Sequence, residues 1–275
     1  MLVCVDYGRT PQTTGLVRAA GPGQRRGLRV NGWLSELFVS LQGEGSYSGQ
    51  RQLFVRPSGC NMRCGYCDTP DSLEKTRRCR VDFPGGESKF LDNPVSVETL
   101  AAVVARFIAE DPSIAMLAVT GGEPMMQADF LEVWFKASPP ERPCLLETNA
   151  TIARGLDRLL PSFSVVSADV KLPSNSGEAS FWKQHEEFLS GCDGVELYVK
   201  MPVDAVTSRQ DVLRGAELVA RCAPAATLYL QPLANPGASE AARPEAFMED
   251  LLAEASARVA DTRVSVQMHK LMGLR

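Results

Sequence analysis

The stretch Ser58-Gly59-Cys60-Asn61-Met62-Arg63-Cys64-Gly65-Tyr66-Cys67-Asp68-Thr69 carries three cysteines, spaced four and then three residues apart. Thiolates at that spacing can wrap one loop around a single inorganic cube, and cysteine thiolates are the preferred ligands of iron–sulfur clusters. Three ligands for four irons leave one iron open, which a small molecule bearing an amine and a carboxylate can chelate. Gly59 and Gly65 let the loop fold tightly, and Tyr66 sets an aromatic ring beside the last cysteine. Structural zinc is the competing reading, but it takes four Cys or His ligands, usually as paired knuckles. No second knuckle follows, and the two histidines, His185 and His269, lie far along the chain.

Downstream, Thr120-Gly121-Gly122-Glu123-Pro124 closes the apolar run from Ile114 to Val119. Two glycines after a strand let backbone approach a ligand closely. Glu123 and the backbone of Gly122 can then hold the amino group of a chelating amino acid. Alone, this stretch reads equally well as an ordinary strand-to-helix turn. With the cysteine loop it describes a seat for S-adenosylmethionine on an open iron, as radical chemistry with that cofactor requires.

Around these motifs, strand-like runs fall at Leu37–Leu41, Leu53–Val55, Ile114–Val119, Cys144–Leu146, Phe163–Ala168, Val195–Val199, Thr227–Leu230 and Val264–Met268. Helix-period segments lie between most of them. The clearest is 97–109, where Val97, Leu100, Val103, Val104, Phe107 and Ile108 share a face behind Ser96 as N-cap. Others are 128–136, 178–189, 209–221 and 244–258. Such alternation means βαβ units and a mainly parallel sheet. With the motifs, the expectation is α/β, a partial (β/α) barrel over 29–275. Residues 1–28, rich in Gly, Arg, Thr and Pro, read as a loosely ordered extension. The segment at about 70–94, around Phe83-Pro84-Gly85-Gly86, reads as an inserted loop. Cys144, Cys192 and Cys222 read as buried small hydrophobes, and Cys79, in the basic insert, as meeting a second cluster or nothing. His185, among Lys183, Gln184, Glu186 and Glu187, reads as a solvated helix residue.

Composition bounds the chemistry. A chain of 275 residues with 44% hydrophobic and 23% charged residues is an ordinary globular protein. Its 29 Lys and Arg against 33 Asp and Glu give a net charge of −4. That balance argues against a broad nucleic-acid face, which needs clustered cations, and leaves room for a small anionic substrate held by one or two arginines. No apolar run approaches the roughly 20 residues of a membrane span. The N-terminus lacks a secretory pattern, so the expected location is cytoplasmic, with no membrane partner.

The cysteine loop together with Gly121-Gly122-Glu123-Pro124 resembles the radical S-adenosylmethionine superfamily, whose members use a full or partial (β/α) barrel with catalytic groups at strand C-termini. Four further stretches are similar to the 7-carboxy-7-deazaguanine synthases of 7-deazapurine and queuosine biosynthesis. These are Glu36-Leu37-Phe38 through Leu41-Gln42-Gly43-Glu44-Gly45, Phe54-Val55-Arg56, Cys67-Asp68-Thr69, and Val266-Gln267-Met268-His269-Lys270. The likeness runs from Glu36 to the C-terminus, the insert aside.

That resemblance implies a lyase that contracts the ring of 6-carboxy-5,6,7,8-tetrahydropterin to 7-carboxy-7-deazaguanine and ammonia. It implies a [4Fe–4S] cluster on Cys60, Cys64 and Cys67, S-adenosylmethionine used catalytically, and Mg²⁺ with Thr69 as its protein ligand. Substrate contacts map onto Leu41, Gln42, Gly43, Glu44, Arg56, Thr120 and His269. Arg56 can fork onto the pterin carboxylate, and Gln42 or Glu44 can read its amide edge. Cofactor contacts map onto Tyr66, Cys67, Asp68, Gly122, Glu123, Asp169, Val170, Lys171 and Gln231. Many members have Ser-Pro-Lys where this chain has Asp169-Val170-Lys171, which assigns Asp169 to ribose hydroxyls instead. The implied partners are an electron donor such as flavodoxin or ferredoxin and a second copy in a homodimer. Two alternatives remain at this stage. A glycyl-radical-enzyme activase would carry extra paired cysteines, and an electron carrier would ligate every iron with protein.

Overall fold

A computed structural model of the chain describes residues 30–233 and 245–275; the expected extension, 1–28, lies outside them. The described chain begins with β1 (Asn31–Gly32), β2 (Leu34–Leu41) and β3 (Arg51–Pro57), then β4 (Arg78–Asp82), β5 (Ser88–Asp92) and β6 (Val95–Ser96). Strand and helix then alternate through α1 (Val97–Glu110), β7 (Met116–Val119), α2 (Ala128–Ala137), β8 (Cys144–Thr148), α3 (Leu156–Leu159) and β9 (Val165–Asp169). After α4 (Pro173–Ser176) and α5 (Trp182–Ser190) come β10 (Glu196–Val203), α6 (Arg209–Cys222), β11 (Thr227–Pro232), α7 (Glu245–Ser256), β12 (Thr262–Val264) and α8 (Met268–Leu271).

Ten strands make one sheet in the order β12-β11-β10-β9-β8-β7-β3-β2-β4-β5. From β3 to β12 every neighbouring pair is parallel. β2 returns antiparallel on β3 with Phe38 opposite Phe54. The ends β12 and β5 do not meet, so the sheet stays open, the partial-barrel class that the alternation predicts. α1 illustrates how local sequence builds the outer layer. Ser96 Oγ accepts from Thr99 N at 3.2 Å, a cap worth about 1 kcal/mol. The apolar stripe from Val97 to Ile108 is buried as expected.

Strand side chains alternate between two faces. Leu53, Val55, Leu117, Val119, Leu146, Val166, Val199, Met201, Leu228 and Leu230 point outward into the core shared with the helices. Their neighbours Phe38, Phe54, Met116, Ala118, Leu145, Val165, Tyr198 and Tyr229 form a second, smaller cluster on the inner face. Phe38 stacks on Phe54 at 5.2 Å, and Tyr198 meets Tyr229 edge-on at 5.8 Å.

Four expectations change. The insert is no loop: residues 78–92 form the β4–β5 hairpin, and β4 joins β2 in parallel. Alternation of buried Cys79 and Val81 with exposed Arg78 and Arg80 explains why, and the basic composition masks it. Cys79 is fully buried in the core, and burial pushes its thiol up to about 12, so it serves as a packing residue. The last strand covers Thr262–Val264 only, and Met268–Leu271 is helical. His185 is completely buried rather than solvated, and α5 starts at Trp182. Among the described residues, no helix is long and apolar enough to cross a membrane.

Candidate active site

The inner face of the sheet changes character along each strand. Two residues beyond an inner-face apolar or small side chain comes a polar one: Phe54 then Arg56, Ala118 then Thr120, Leu145 then Glu147. Ser167 precedes Asp169, Tyr198 precedes Lys200, and Tyr229 precedes Gln231. In-register parallel pairing sets these ends side by side, with Lys200 opposite both Asp169 and Tyr229. They surround a cavity of about 490 Å³ at the C-terminal ends of the parallel strands.

Cys60, Cys64 and Cys67 form one wall and are the only cysteines lining the cavity among the described residues. Backbone bonds hold their loop: Gly59 N to Ser72 O at 2.8 Å, Cys60 N to Leu73 O at 3.0 Å and Gly65 N to Ser176 O at 3.1 Å. The Gly121-Gly122 turn packs directly against it. Gly121 has φ +99°, and a Cβ on Gly122 would collide with the carbonyl of Gly59. Burial pushes the Cys60 and Cys64 thiols up, so their ionisation needs a cation beside them. Three thiols lining one cavity fit a cluster with one open iron, whose charge would favour the thiolates.

Next to the thiols, several buried polar atoms have no hydrogen-bond partner: Tyr66 OH, Asp169 Oδ1 and Gln231 Oε1. Orphaned buried polar atoms cost roughly 1–3 kcal/mol each, and all three of these belong to residues that line the cavity. Lys171 Nζ donates to Asp169 Oδ2 at 2.9 Å and lies 5.4 Å from the centre of the Tyr66 ring. Lys200 Nζ is 3.3 Å from Asp169 Oδ1, outside hydrogen-bonding alignment. A carboxylate with a vacant oxygen fits a ribose diol, and an amide oxygen fits an amino or hydroxyl donor.

Of the residues mapped to the cofactor, Glu123 and Val170 do not line the cavity. Glu123 is fully buried and accepts from Met125 N at 2.9 Å, Asn149 N at 2.8 Å and Thr148 Oγ1 at 2.7 Å. Burial drives its carboxyl up to about 7 against the pull of those bonds. It ties the Gly-Gly turn to the end of β8. Val170 belongs to the outer core.

Leu41, Gln42, Gly43, Glu44, Arg56, Thr120 and His269 all line the same cavity. Glu147 organises part of it, accepting from Gln42 Nε2 at 2.9 Å and Thr120 Oγ1 at 2.6 Å. Glu44 accepts from Lys200 Nζ at 2.5 Å and Gln267 Nε2 at 2.8 Å. Burial raises the Glu44 carboxyl, but the charge of Lys200 and those bonds outweigh it and hold it at about 2. Arg56 Nε donates to Glu36 at 2.8 Å, with its guanidinium over Phe38. Arg275 bridges Glu36 and Asp82, joining the same wall to the β4 hairpin.

Asp68 accepts from Gln267 at 2.8 Å and Lys270 at 2.6 Å. Donor atoms of Glu44, Asp68 and His269 lie within 4.8 Å of one another, and Thr69 lines the cavity beside Asp68. Carboxylate and hydroxyl oxygens of this kind suit Mg²⁺, which keeps water or substrate oxygens in the rest of its shell. Glu147, Lys200, Glu36 and Gln267 were not among the sequence candidates. Period-two continuation of the strands past their apolar residues is the signal that finds Glu147 and Lys200.

An open, mainly parallel sheet with a three-thiol loop at its strand C-termini defines a radical S-adenosylmethionine enzyme, and the Radical SAM superfamily model matches residues 55–220. The 7-carboxy-7-deazaguanine synthase of Geobacter sulfurreducens is 33% identical over 244 residues, 87% of this chain and 96% of that protein. That of Methanopyrus kandleri is 33% identical over 244 residues, covering 86% and 92%. The chain belongs to the 7-carboxy-7-deazaguanine synthase family. Among solved structures, QueE from Escherichia coli shares the fold, with TM-score 0.56 and 22% identity over 87% of this chain and 95% of that one.

Proposed function

We propose that this chain is a radical S-adenosylmethionine lyase that converts 6-carboxy-5,6,7,8-tetrahydropterin to 7-carboxy-7-deazaguanine with loss of ammonia, in 7-deazapurine and queuosine biosynthesis. The observation that carries this reading is one cavity lined both by three thiols and by the polar residues mapped to the substrate, in a chain of this family. Cys60, Cys64 and Cys67 would hold the [4Fe–4S] cluster, which supplies the electron that cleaves S-adenosylmethionine and opens radical chemistry.

The chain's own groups divide the remaining work. Asp169 and Gln231 offer vacant buried oxygens to the nucleoside part of S-adenosylmethionine, while Tyr66 supplies an aromatic face. Cys67, Asp68 and Gly122 border the same region, and Lys171 Nζ holds Asp169 Oδ2 in place with a 2.9 Å ion pair. Gln42 and Thr120, held by Glu147, present fixed donors and acceptors to a pterin edge. Arg56 and His269 flank the place for its carboxylate, and Thr69 offers a hydroxyl to Mg²⁺. Glu123 acts as framework behind the Gly-Gly turn. Residues 29–275 serve as one catalytic domain, fed by a flavodoxin- or ferredoxin-type donor and working as a homodimer.

The test is anaerobic turnover of the cluster-loaded protein with carboxytetrahydropterin, S-adenosylmethionine, Mg²⁺ and dithionite, read by mass spectrometry. The expected product is 7-carboxy-7-deazaguanine. Full cluster loading without that product overturns the family activity. Arg56→Ala is expected to weaken pterin binding strongly while leaving slow cleavage of S-adenosylmethionine in place.

A further inference from the structure

His185 is exposed to neither solvent nor cavity, yet it joins two of the turns that build the site. It sits on α5, completely buried. Its Nε2 accepts from the backbone N–H of Lys171 at 3.1 Å, and its Nδ1 lies 3.1 Å from the carbonyl of Ala150. An acceptor at Nε2 and a carbonyl at Nδ1 require the neutral tautomer with the proton on Nδ1. Burial, which pushes the imidazole down to about 4, agrees with that neutral form.

Each bond holds one side of the cavity. Lys171 follows β9 and, with Asp169, faces the pocket beside Tyr66. Ala150 follows β8 in the left-handed region at φ 54°, unusual for a residue with a Cβ. The preceding Asn149 donates to Asn61 Oδ1 at 2.9 Å inside the cysteine loop, and Asn61 Nδ2 donates to Thr151 at 2.9 Å. His185 therefore spans from the turn that touches the cysteine loop to the turn that carries Asp169 and Lys171.

We propose that His185 is a positioning residue for S-adenosylmethionine: it fixes the Asp169–Lys171 turn relative to the cysteine loop, so that cluster and nucleoside sites keep one spacing. This rests on the radical S-adenosylmethionine reading above. A buried histidine that only packs would affect stability without discriminating between ligands, whereas a positioning residue affects the affinity of one ligand.

The experiment compares His185→Phe, His185→Gln and His185→Asn in anaerobic, cluster-loaded protein, measuring S-adenosylmethionine affinity by equilibrium dialysis, iron content, and KM for carboxytetrahydropterin. Phe keeps the ring volume and removes both bonds; Gln can restore the acceptor for Lys171, and Asn the donor to Ala150. His185→Phe is expected to bind S-adenosylmethionine roughly tenfold more weakly, the scale of an orphaned buried donor, with iron content and pterin KM unchanged. Gln should recover affinity more fully than Asn. Parental affinity in His185→Phe overturns the proposal. If His185→Phe fails to fold, the Gln and Asn pair decides, and equal affinity in the two overturns it. The chain has two histidines, so ¹⁵N-histidine spectra of His269→Ala report His185 alone. A tautomer protonated on Nε2 also overturns the proposal. Failure of the parent protein to bind S-adenosylmethionine instead refutes the radical-enzyme reading on which this one stands.

Discussion

Replacing Lys200 with Met tests whether the polar belt is an electrostatic unit. The Lys200 side chain is 5% exposed and lies 2.5 Å from Glu44, itself 14% exposed. An ordinary glutamate near 4.5 held at about 2 gains about 3 kcal/mol of stability from its folded surroundings. Removing one partner of a buried pair costs roughly 3–5 kcal/mol by an independent route. Lys200→Met is therefore expected to lose about 3 kcal/mol in urea unfolding at pH 7, measured at equal cluster loading.

The pH dependence has a definite sign. Because the folded carboxyl is depressed, its stabilisation is present above the unfolded value of 4.5 and disappears as pH falls toward 2. The gap between parent and variant should be widest above that window and close within it. A Glu44→Gln, Lys200→Met double variant removes the stranded charge and should lose less than the sum of the two single variants. A loss below about 1 kcal/mol in Lys200→Met at pH 7, within the range of an exposed ion pair, would refute the reasoning.

Changing Cys60, Cys64 or Cys67 to Ala should abolish stoichiometric iron and sulfide, whereas a Cys79→Ala, Cys144→Ala double variant should keep them. Elemental analysis after anaerobic reconstitution decides it. A Cβ on Gly43 would overlap the His269 ring at Nδ1 and Cγ, so Gly43→Ala should displace that ring and lower product formation much as His269→Ala does, with iron content intact. Thr69→Ala should raise the Mg²⁺ concentration needed for half-maximal turnover without loss of iron; superimposable Mg²⁺ titrations would remove Thr69 as the ligand.

Local sequence was sufficient for the features that depend on near neighbours. The cluster loop lies within residues 60–67, so its ligand count is readable from spacing alone. The α1 stripe and its Ser96 cap depend on contacts three and four residues apart, and both appear as expected. Strand–helix alternation set the parallel sheet, because a parallel pair needs a crossover long enough for a helix. The β4–β5 hairpin was harder to see. Its burial pattern shows only once β2 provides an edge for it to pair with.

Only the tertiary structure decided which polar residues share a cavity. Glu44, Asp68 and Gln267 are far apart in sequence and meet because the segment after β12 returns over the start of the barrel. Glu123 turns inward, where Met125 N and two donors at the end of β8, Thr148 Oγ1 and Asn149 N, satisfy its carboxylate. His185 sits in a charged stretch that reads as solvent-facing, but α5 directs that one position at two backbone groups otherwise left unpaired. Composition and spacing record what a residue can do. Which partner it has depends on the register of strands and the faces of helices, and those are set by burial across the whole sheet.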